Sequence, residues 1–297
     1  MGGLGKTTMA LSLCNDKEIK GFFQNNIVFI TVSHSPNLKG ILETMWDNIV
    51  RRKKPEFQNV DDARRQLQQQ LLRQAHRTLV VLDDVWSNEN LEKLLFEGEG
   101  YKTLVTTRDR SIIRSTTSTR LYELPLLDDT DALPLFCFWA FGQKAIPSNA
   151  DEQLVSQVQA ECKGLPLALK VIGSSLHGRP HPAWENTKNK LLNGESISDY
   201  NKEGLLRCLE TSIDVLDEEA RECFLDLGSF PEDRKIPVDA LLDIWVYVRK
   251  IKRHDAFLIL LELASRNLLN LTSNLRSQTI NYGSASELYF YQHDVMR

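Results

Sequence analysis

Cysteine is scarce and unpaired in this chain. The five cysteines, Cys14, Cys137, Cys162, Cys208 and Cys223, form no CxxC pair and are odd in number. That pattern excludes a disulfide framework and a zinc knuckle and leaves reduced thiols of a cytosolic protein. His177 and His181 are spaced HxxxH, but no cysteine pair stands beside them to complete a zinc pattern. Long apolar runs are also missing. The best stretch, Phe257 to Ala264, is broken by Glu262 and falls well short of the roughly 18 residues a membrane span needs. The Gly-rich, polar opening residues do not read as a signal peptide. Positive charge is not in excess: 36 Lys plus Arg against 40 Asp plus Glu give a net charge of -4, which excludes a polycation that binds nucleic acid by bulk charge. No internal repeat or low-complexity segment is visible. The 297 residues, 42% apolar and 26% charged, have ordinary globular composition and room for two or three compact units.

The informative residues come first in the chain. The phosphate-binding loop reads GxxxxGK[ST], and Gly5, Lys6 and Thr7 fill its last three positions, so the chain is expected to open inside the motif, without the strand that precedes such a loop. In P-loop folds of this type that strand lies in the middle of the sheet, beside the strand ending at Asp83; without it two unpaired edges are expected there, and the isolated chain is expected to bind nucleotide poorly. Thr7 to Cys14 is apolar on most sides and predicts a buried helix whose N-terminal N–H groups face the phosphates. Ile27–Val32, Leu79–Leu82 and Lys102–Thr107 are continuous apolar or β-branched runs, expected as strands covered on both faces. Leu38–Val50 and the polar Asp61–Ala75 are expected as helices between them, the second on the surface. Alternation of this kind predicts a parallel sheet with ligands at the strands' C-terminal ends.

From Pro125 onward the pattern turns helical, with helices expected over 131–141, 151–162, 167–176, 204–216, 238–248 and 256–269. Residues 271–291 alternate weakly and fit a hairpin. The far end stops at Gln292–Arg297 without a turn or cap, as expected for a piece cut at two motifs.

The second strand ends in Asp83-Asp84, downstream of Gly5-Lys6-Thr7. A carboxylate delivered there, with the Thr7 hydroxyl, suits a magnesium ion bridging terminal phosphates, while Lys6 supplies positive charge. Asp83 is the expected metal partner, and Asp84 is placed to orient or deprotonate a water; Asp is also common in strand-end turns. Thr106-Thr107-Arg108 closes the next strand, where Arg108 could reach a γ-phosphate or form a surface salt bridge.

These residues, with Gly164-Leu165-Pro166-Leu167-Ala168-Leu169, Cys223 to Asp233 and Gln292-His293-Asp294-Val295 in the same order, resemble the nucleotide-binding switch module (NB-ARC) of plant NLR disease-resistance proteins over essentially the whole chain. Trp86 after the acidic pair resembles the coiled-coil class. Leu225 to Asp233, with Gln rather than Met at 292, resembles its helper subclass. The resemblance implies an α/β P-loop NTPase of the STAND/AAA-like type over 1–124, a helical domain over 125–200 and a winged helix over 201–297. It implies ADP/ATP and magnesium held by Gly2, Gly3, Leu4, Gly5, Lys6, Thr7, Thr8 and Arg108, with Pro166 on the adenine ring and His293 on the ADP β-phosphate. Taken alone, Pro166 could be a helix boundary and His293 a satisfied histidine at a strand end. The implied function is an ADP-off, ATP-on switch in the cytoplasm that resets by slow hydrolysis. Its open form assembles with itself and serves sensor receptors. A turnover ATPase and a scaffold with a decayed nucleotide site are the alternatives. Winged helices can read DNA, but residues 201–297 hold 12 Lys plus Arg against 16 Asp plus Glu, and the one basic cluster, Arg249, Lys250, Lys252 and Arg253, is expected as a solvated helix end.

Overall fold

A computed structural model of the chain describes residues 2–73, 76–113, 119–192, 209–230, 235–273 and 288–291. Contacts divide it into two compact units, 1–124 and 125–297.

Three strands organise the first unit: β1 (Ile27–Thr31), β2 (Thr78–Val85) and β3 (Tyr101–Thr107), all parallel in the order β1-β2-β3. Side chains alternate between faces along a strand, and here each face has its own core. Val28, Ile30, Val80 and Leu82 pack under the helices α3 (Leu38–Met45), α4 (Val60–Leu71) and α5 (Asn88–Leu94). Leu79 and Val81, with the half-buried Ile27, Phe29 and Leu104, pack against α1 (Lys6–Asn15) and the residues following α2 (Lys17–Phe22). Continuous apolar strands are the consequence of two covered faces. Helix α3 runs on into a π-helical turn, Trp46–Val50, which Arg51 ends in a left-handed conformation at φ 53°. The sequence reads Asp61–Ala75 as a surface helix, and the described part is one-sided: Ala63, Leu67 and Leu71 are buried while the charged residues between them face out.

Two expectations are corrected here. Helix α1 is not buried all round. Only Ala10 and Cys14 are covered, because α1 lies on one face of a three-stranded sheet, and Met9, Leu11 and Leu13 remain exposed. Nor does β2 show an unpaired edge among the described residues: β1 and β3 pair with its two sides in this chain.

In the second unit α6 (Asp129–Phe141), α7 (Glu152–Glu161), α8 (Pro166–Leu176) and α9 (His181–Leu192) form a helical layer. Helix α8 is buried along most of its length and lies so close to α6 that a Cβ on Gly173 would sit 3.1 Å from the Phe136 carbonyl oxygen. Trp184 of α9 stacks on Phe141 at 5.3 Å and meets Phe136 edge-on. Of the helix expected over 204–216, residues 209–213 are described and helical. Helices α10 (Glu218–Asp226), α11 (Val238–Val248) and α12 (Arg253–Ser265) follow, with a small antiparallel sheet of order β4-β6-β5 made by β4 (Ile236–Pro237), β5 (Asn270–Ser273) and β6 (Leu288–Tyr291). Strands β5 and β6 pair as the expected hairpin would, although its proposed turn at Asn281–Ser284 lies outside the described residues. Among the described residues no helix is long and apolar enough to cross a membrane.

Lys250, Lys252 and Arg253 of the basic cluster are exposed, as expected of a solvated helix end, and its two arginines also find carboxylates. Arg249 binds Glu222 at 2.8 Å and Asp226 at 2.6 Å across α10, and Arg253 pairs with Asp239 and Asp243 of α11. Carboxylates one helical turn apart face each of these arginines, so half of the cluster's charge is matched internally.

Candidate functional site

The site sits at the C-terminal ends of the parallel strands. Gly5 enters α1 with φ 88°, a left-handed conformation that favours glycine; a Cβ there would meet nothing within 4 Å, so the backbone angle alone makes the demand. The first turn of α1 carries no acidic residue and Gly5 provides no side-chain cap. The turn's N–H groups therefore point out of the helix end with its positive dipole intact.

Asp83 anchors the arrangement. It is 2% exposed, and a buried carboxylate needs donors. Thr106 Oγ1 donates to its Oδ1 at 2.6 Å, and the Thr7 hydroxyl donates to the same carboxylate, 2.9 Å from Oδ2. Burial pushes the Asp83 carboxyl above the usual carboxylate range, the hydrogen bonds from Thr106 and Thr7 oppose this, and the neighbouring Asp84 adds to it. Thr106 also accepts from the backbone N–H of Asp84 at 2.9 Å, so one hydroxyl ties the end of β3 to both acidic residues of β2.

Asp84 adopts φ 54°, and the β2–β3 register shifts between Leu82 and Val85. Its carboxylate is clamped from two sides: Trp86 Nε1 donates to Oδ2 at 2.7 Å, and Arg108 Nε donates to Oδ1 at 3.3 Å. The Arg108 guanidinium lies 5.0 Å from the centre of the Trp86 ring, within cation–π range. The sequence leaves Arg108 open between a phosphate contact and a salt bridge, and here it makes the salt bridge with Asp84. Lys6 is held below the ordinary lysine range, first by burial and then by repulsion from Arg108, against the pull of Asp84 and Asp83.

The donor set suits a hard cation. A threonine hydroxyl and a carboxylate lie 2.9 Å apart, and both are oxygen ligands. Among the described residues no three His, Cys, Asp or Glu converge, so a cation held by Thr7 and Asp83 would need further ligands from phosphate or water. His177 and His181 face separate partners, the Ala140 carbonyl at 3.0 Å and Asp151 at 3.4 Å.

Of the remaining candidate residues, Gly2, Gly3 and Leu4 are half-buried ahead of α1, Thr8 is exposed on its first turn, and Pro166 belongs to the second unit. Pro166 occupies the first turn of α8, where its missing N–H costs nothing. Gly164 before it has φ 68°, and a Cβ would lie 2.1 Å from the Leu127 carbonyl oxygen. His293 lies outside the described residues, as do Pro231, Glu232 and Asp233. Sequence reasoning gave no role to the Thr106 hydroxyl or to the indole of Trp86. Their signal was position: one directly across from the acidic pair at a strand end, the other two residues beyond it.

Residues 1–145 match the NB-ARC domain family model. Over its whole length the chain is 41% and 38% identical to two probable disease resistance proteins of Arabidopsis thaliana, and 39% identical to the disease resistance protein ADR1 of the same plant. It spans about a third of the length of these relatives: 35%, 34% and 34%. A solved structure of the Aeropyrum pernix ORC2 protein aligns with 98% of this chain and 81% of its own at 15% identity, with a TM-score of 0.43. With the glycine turn into α1, the Thr7–Asp83 contact and the parallel sheet behind them all inside the matched segment, residues 1–145 belong to the NB-ARC domain family, within a chain similar throughout to plant disease-resistance proteins.

Proposed function

We propose that this chain is the ADP/ATP-dependent switch of a plant intracellular immune receptor, off with ADP and on with ATP. The observation that carries the proposal is the linked set Thr7–Asp83–Thr106 and Arg108–Asp84–Trp86 at the mouth of a glycine-turned helix. Gly2 to Gly5 and the α1 N-terminus cradle phosphates through backbone N–H groups, Lys6 supplies charge to the terminal phosphates, and Thr8 lies beside them on the first turn. Thr7 and Asp83 hold magnesium, which neutralises phosphate charge when bound.

Arg108 is the γ-phosphate reader in this proposal. It leaves one carboxylate, Asp84, for a phosphate of higher charge, and Asp84 is then free to orient a water for slow hydrolysis as the reset. A ligand shifts such an equilibrium only by its difference in affinity for the two states. Moving it from 1:99 to 99:1 takes about 5.5 kcal/mol, and charged hydrogen bonds of about 1.5–3 kcal/mol each supply that with roughly two to four contacts. Residues 125–200 act as the helical domain and 201–297 as a winged helix. Pro166 packs on adenine and His293 on the β-phosphate, so that ADP holds the module closed. The open form assembles with itself in the cytoplasm and serves sensor receptors. The interlocked, correctly oriented Thr7 and Asp83 speak against a decayed scaffold.

The test is the nucleotide retained by the purified full-length protein. ADP should co-purify with the wild type and be lost in Lys6→Ala, and His293→Ala should signal without a trigger. A wild-type protein that retains no nucleotide would overturn the switch.

A further inference from the structure

At the opposite end of the same sheet lies a second cleft with its own chemistry. The strands are parallel and the phosphate loop faces their C-terminal ends. This cleft opens where they begin, at Asn26 before β1 and Thr78 at the start of β2. Thr78 precedes Asp83 by five residues, which places the cleft about 17 Å from the phosphate site along β2 at ~3.3 Å per residue. The cleft holds about 620 Å³, inside the range of roughly 300–1,000 Å³ for small-molecule sites and far larger than one inorganic anion needs.

Its charge is one-sided. Arg51, Arg52, Arg73 and His76 line it, and among the described residues no carboxylate does. Among the described residues the nearby acids on α3 and the π-helical turn, Glu43 and Asp47, are both engaged by Lys54 at 3.4 Å. The side chains of Arg52 and Arg73 are exposed and make no ion pair among the described residues. Arg51, turned by its left-handed backbone, donates Nε to the Asn48 carbonyl at 3.0 Å, which fixes that guanidinium while leaving its terminal N–H groups available. Ile49 and Val50 give the cleft an apolar wall, and Asn26 and Gln70 add amide donors and acceptors. In a chain of net charge -4, three guanidinium groups lining one cleft favour an anion. Their planar forks match phosphate oxygens in pairs.

We propose that this cleft binds a multiply phosphorylated small organic molecule, independently of nucleotide at the phosphate loop. The volume calls for a carbon skeleton with more than one phosphate group. A cleft of this volume fits a small ligand better than a nucleic-acid strand, which needs a basic stripe.

The experiment is calorimetric titration of the complete chain, with ADP present in excess, using fructose 1,6-bisphosphate, inositol hexakisphosphate and inorganic phosphate as probes. One of the two organic polyphosphates should bind saturably at one site, at least tenfold more tightly than inorganic phosphate. Arg52→Ala/Arg73→Ala should weaken it tenfold or more while circular dichroism stays unchanged. Lys6→Ala should leave it intact. No saturable binding, equal affinity in the double arginine variant, loss in Lys6→Ala, or tighter binding of a poly-glutamate peptide or of single-stranded DNA than of either polyphosphate would each overturn the proposal.

Discussion

Thr106→Val isolates the one hydroxyl that joins β3 to the acidic end of β2. Valine keeps the volume and the β-branched preference for a strand, so the change removes polarity alone. Two bonds go: the 2.6 Å donation to the buried Asp83 carboxylate and the 2.9 Å acceptance from the Asp84 N–H. A hydrogen bond to a charged group contributes about 1.5–3 kcal/mol and an orphaned buried group costs about 1–3 kcal/mol. Thr106 is only half-buried, so water recovers part of this, and a loss of about 2 kcal/mol at neutral pH is expected. The loss depends on pH with a definite sign. Burial already holds the Asp83 carboxyl above its unfolded range. Its stabilising effect is therefore full only below the unfolded pKa and fades as pH rises through the raised folded one. Removing the Thr106 donor raises the folded value further, because that bond favoured the carboxylate. Thr106→Val should thus be most destabilising at pH 7 and less so at acidic pH, once Asp83 takes up its proton and no longer depends on the donor. Thr106→Ser, which keeps the hydroxyl, should show neither the loss nor the pH trend. Urea unfolding of the three proteins at neutral and acidic pH, followed by tryptophan fluorescence, is the assay. Equal destabilisation of Thr106→Val at acidic pH and pH 7 would refute the role given to this bond.

Two glycines with similar backbone angles should respond differently to alanine. Gly5→Ala faces open space and should cost about 1–2 kcal/mol, the ordinary left-handed penalty. Gly164→Ala meets the Leu127 carbonyl oxygen at 2.1 Å and should cost well over that in thermal denaturation. Trp184→Ala removes the stack on Phe141 and the edge contact with Phe136, and should cost about 3–5 kcal/mol by denaturant titration of the second unit. The Cys223 thiol is pushed up to about 12 by burial first and the nearby Asp226 second; iodoacetamide at pH 8 should leave it unmodified in the folded protein and label it in urea, as read by mass spectrometry.

Much of the first unit is legible in the sequence because its strands are buried on both faces. Ile27–Val32 and Leu79–Leu82 need no partner to be recognised as strands, and the acidic pair after Leu82 marks their C-terminal ends. What is not legible depends on which elements face each other. The apolar circumference of α1 suggests burial all round, yet a helix on one side of three strands covers only Ala10 and Cys14. Strand order is likewise a pairing property: nothing in the run ending at Asp83 says that β1 and β3 take both of its edges. At the site, Lys6, Thr7 and Asp83 follow from motif chemistry. The clamp of Trp86 and Arg108 on Asp84 follows from a left-handed residue inside a strand, which the sequence does not announce. The cluster from Arg249 to Arg253 is largely exposed, as it reads, but the carboxylates that pair its two arginines, 10 to 27 positions away, are not legible in the sequence.

The central claim is that Lys6, Thr7, Asp83 and Arg108 form one phosphate-reading site. Equilibrium binding of ADP and ATP, each with magnesium and with EDTA, to the full-length protein and its Asp83→Asn and Arg108→Ala variants tests it most directly. Asp83→Asn should remove the magnesium dependence for both nucleotides, whereas Arg108→Ala should weaken ATP at least tenfold and leave ADP nearly unchanged. Equal effects of Arg108→Ala on ADP and ATP, with magnesium dependence surviving in Asp83→Asn, would contradict it.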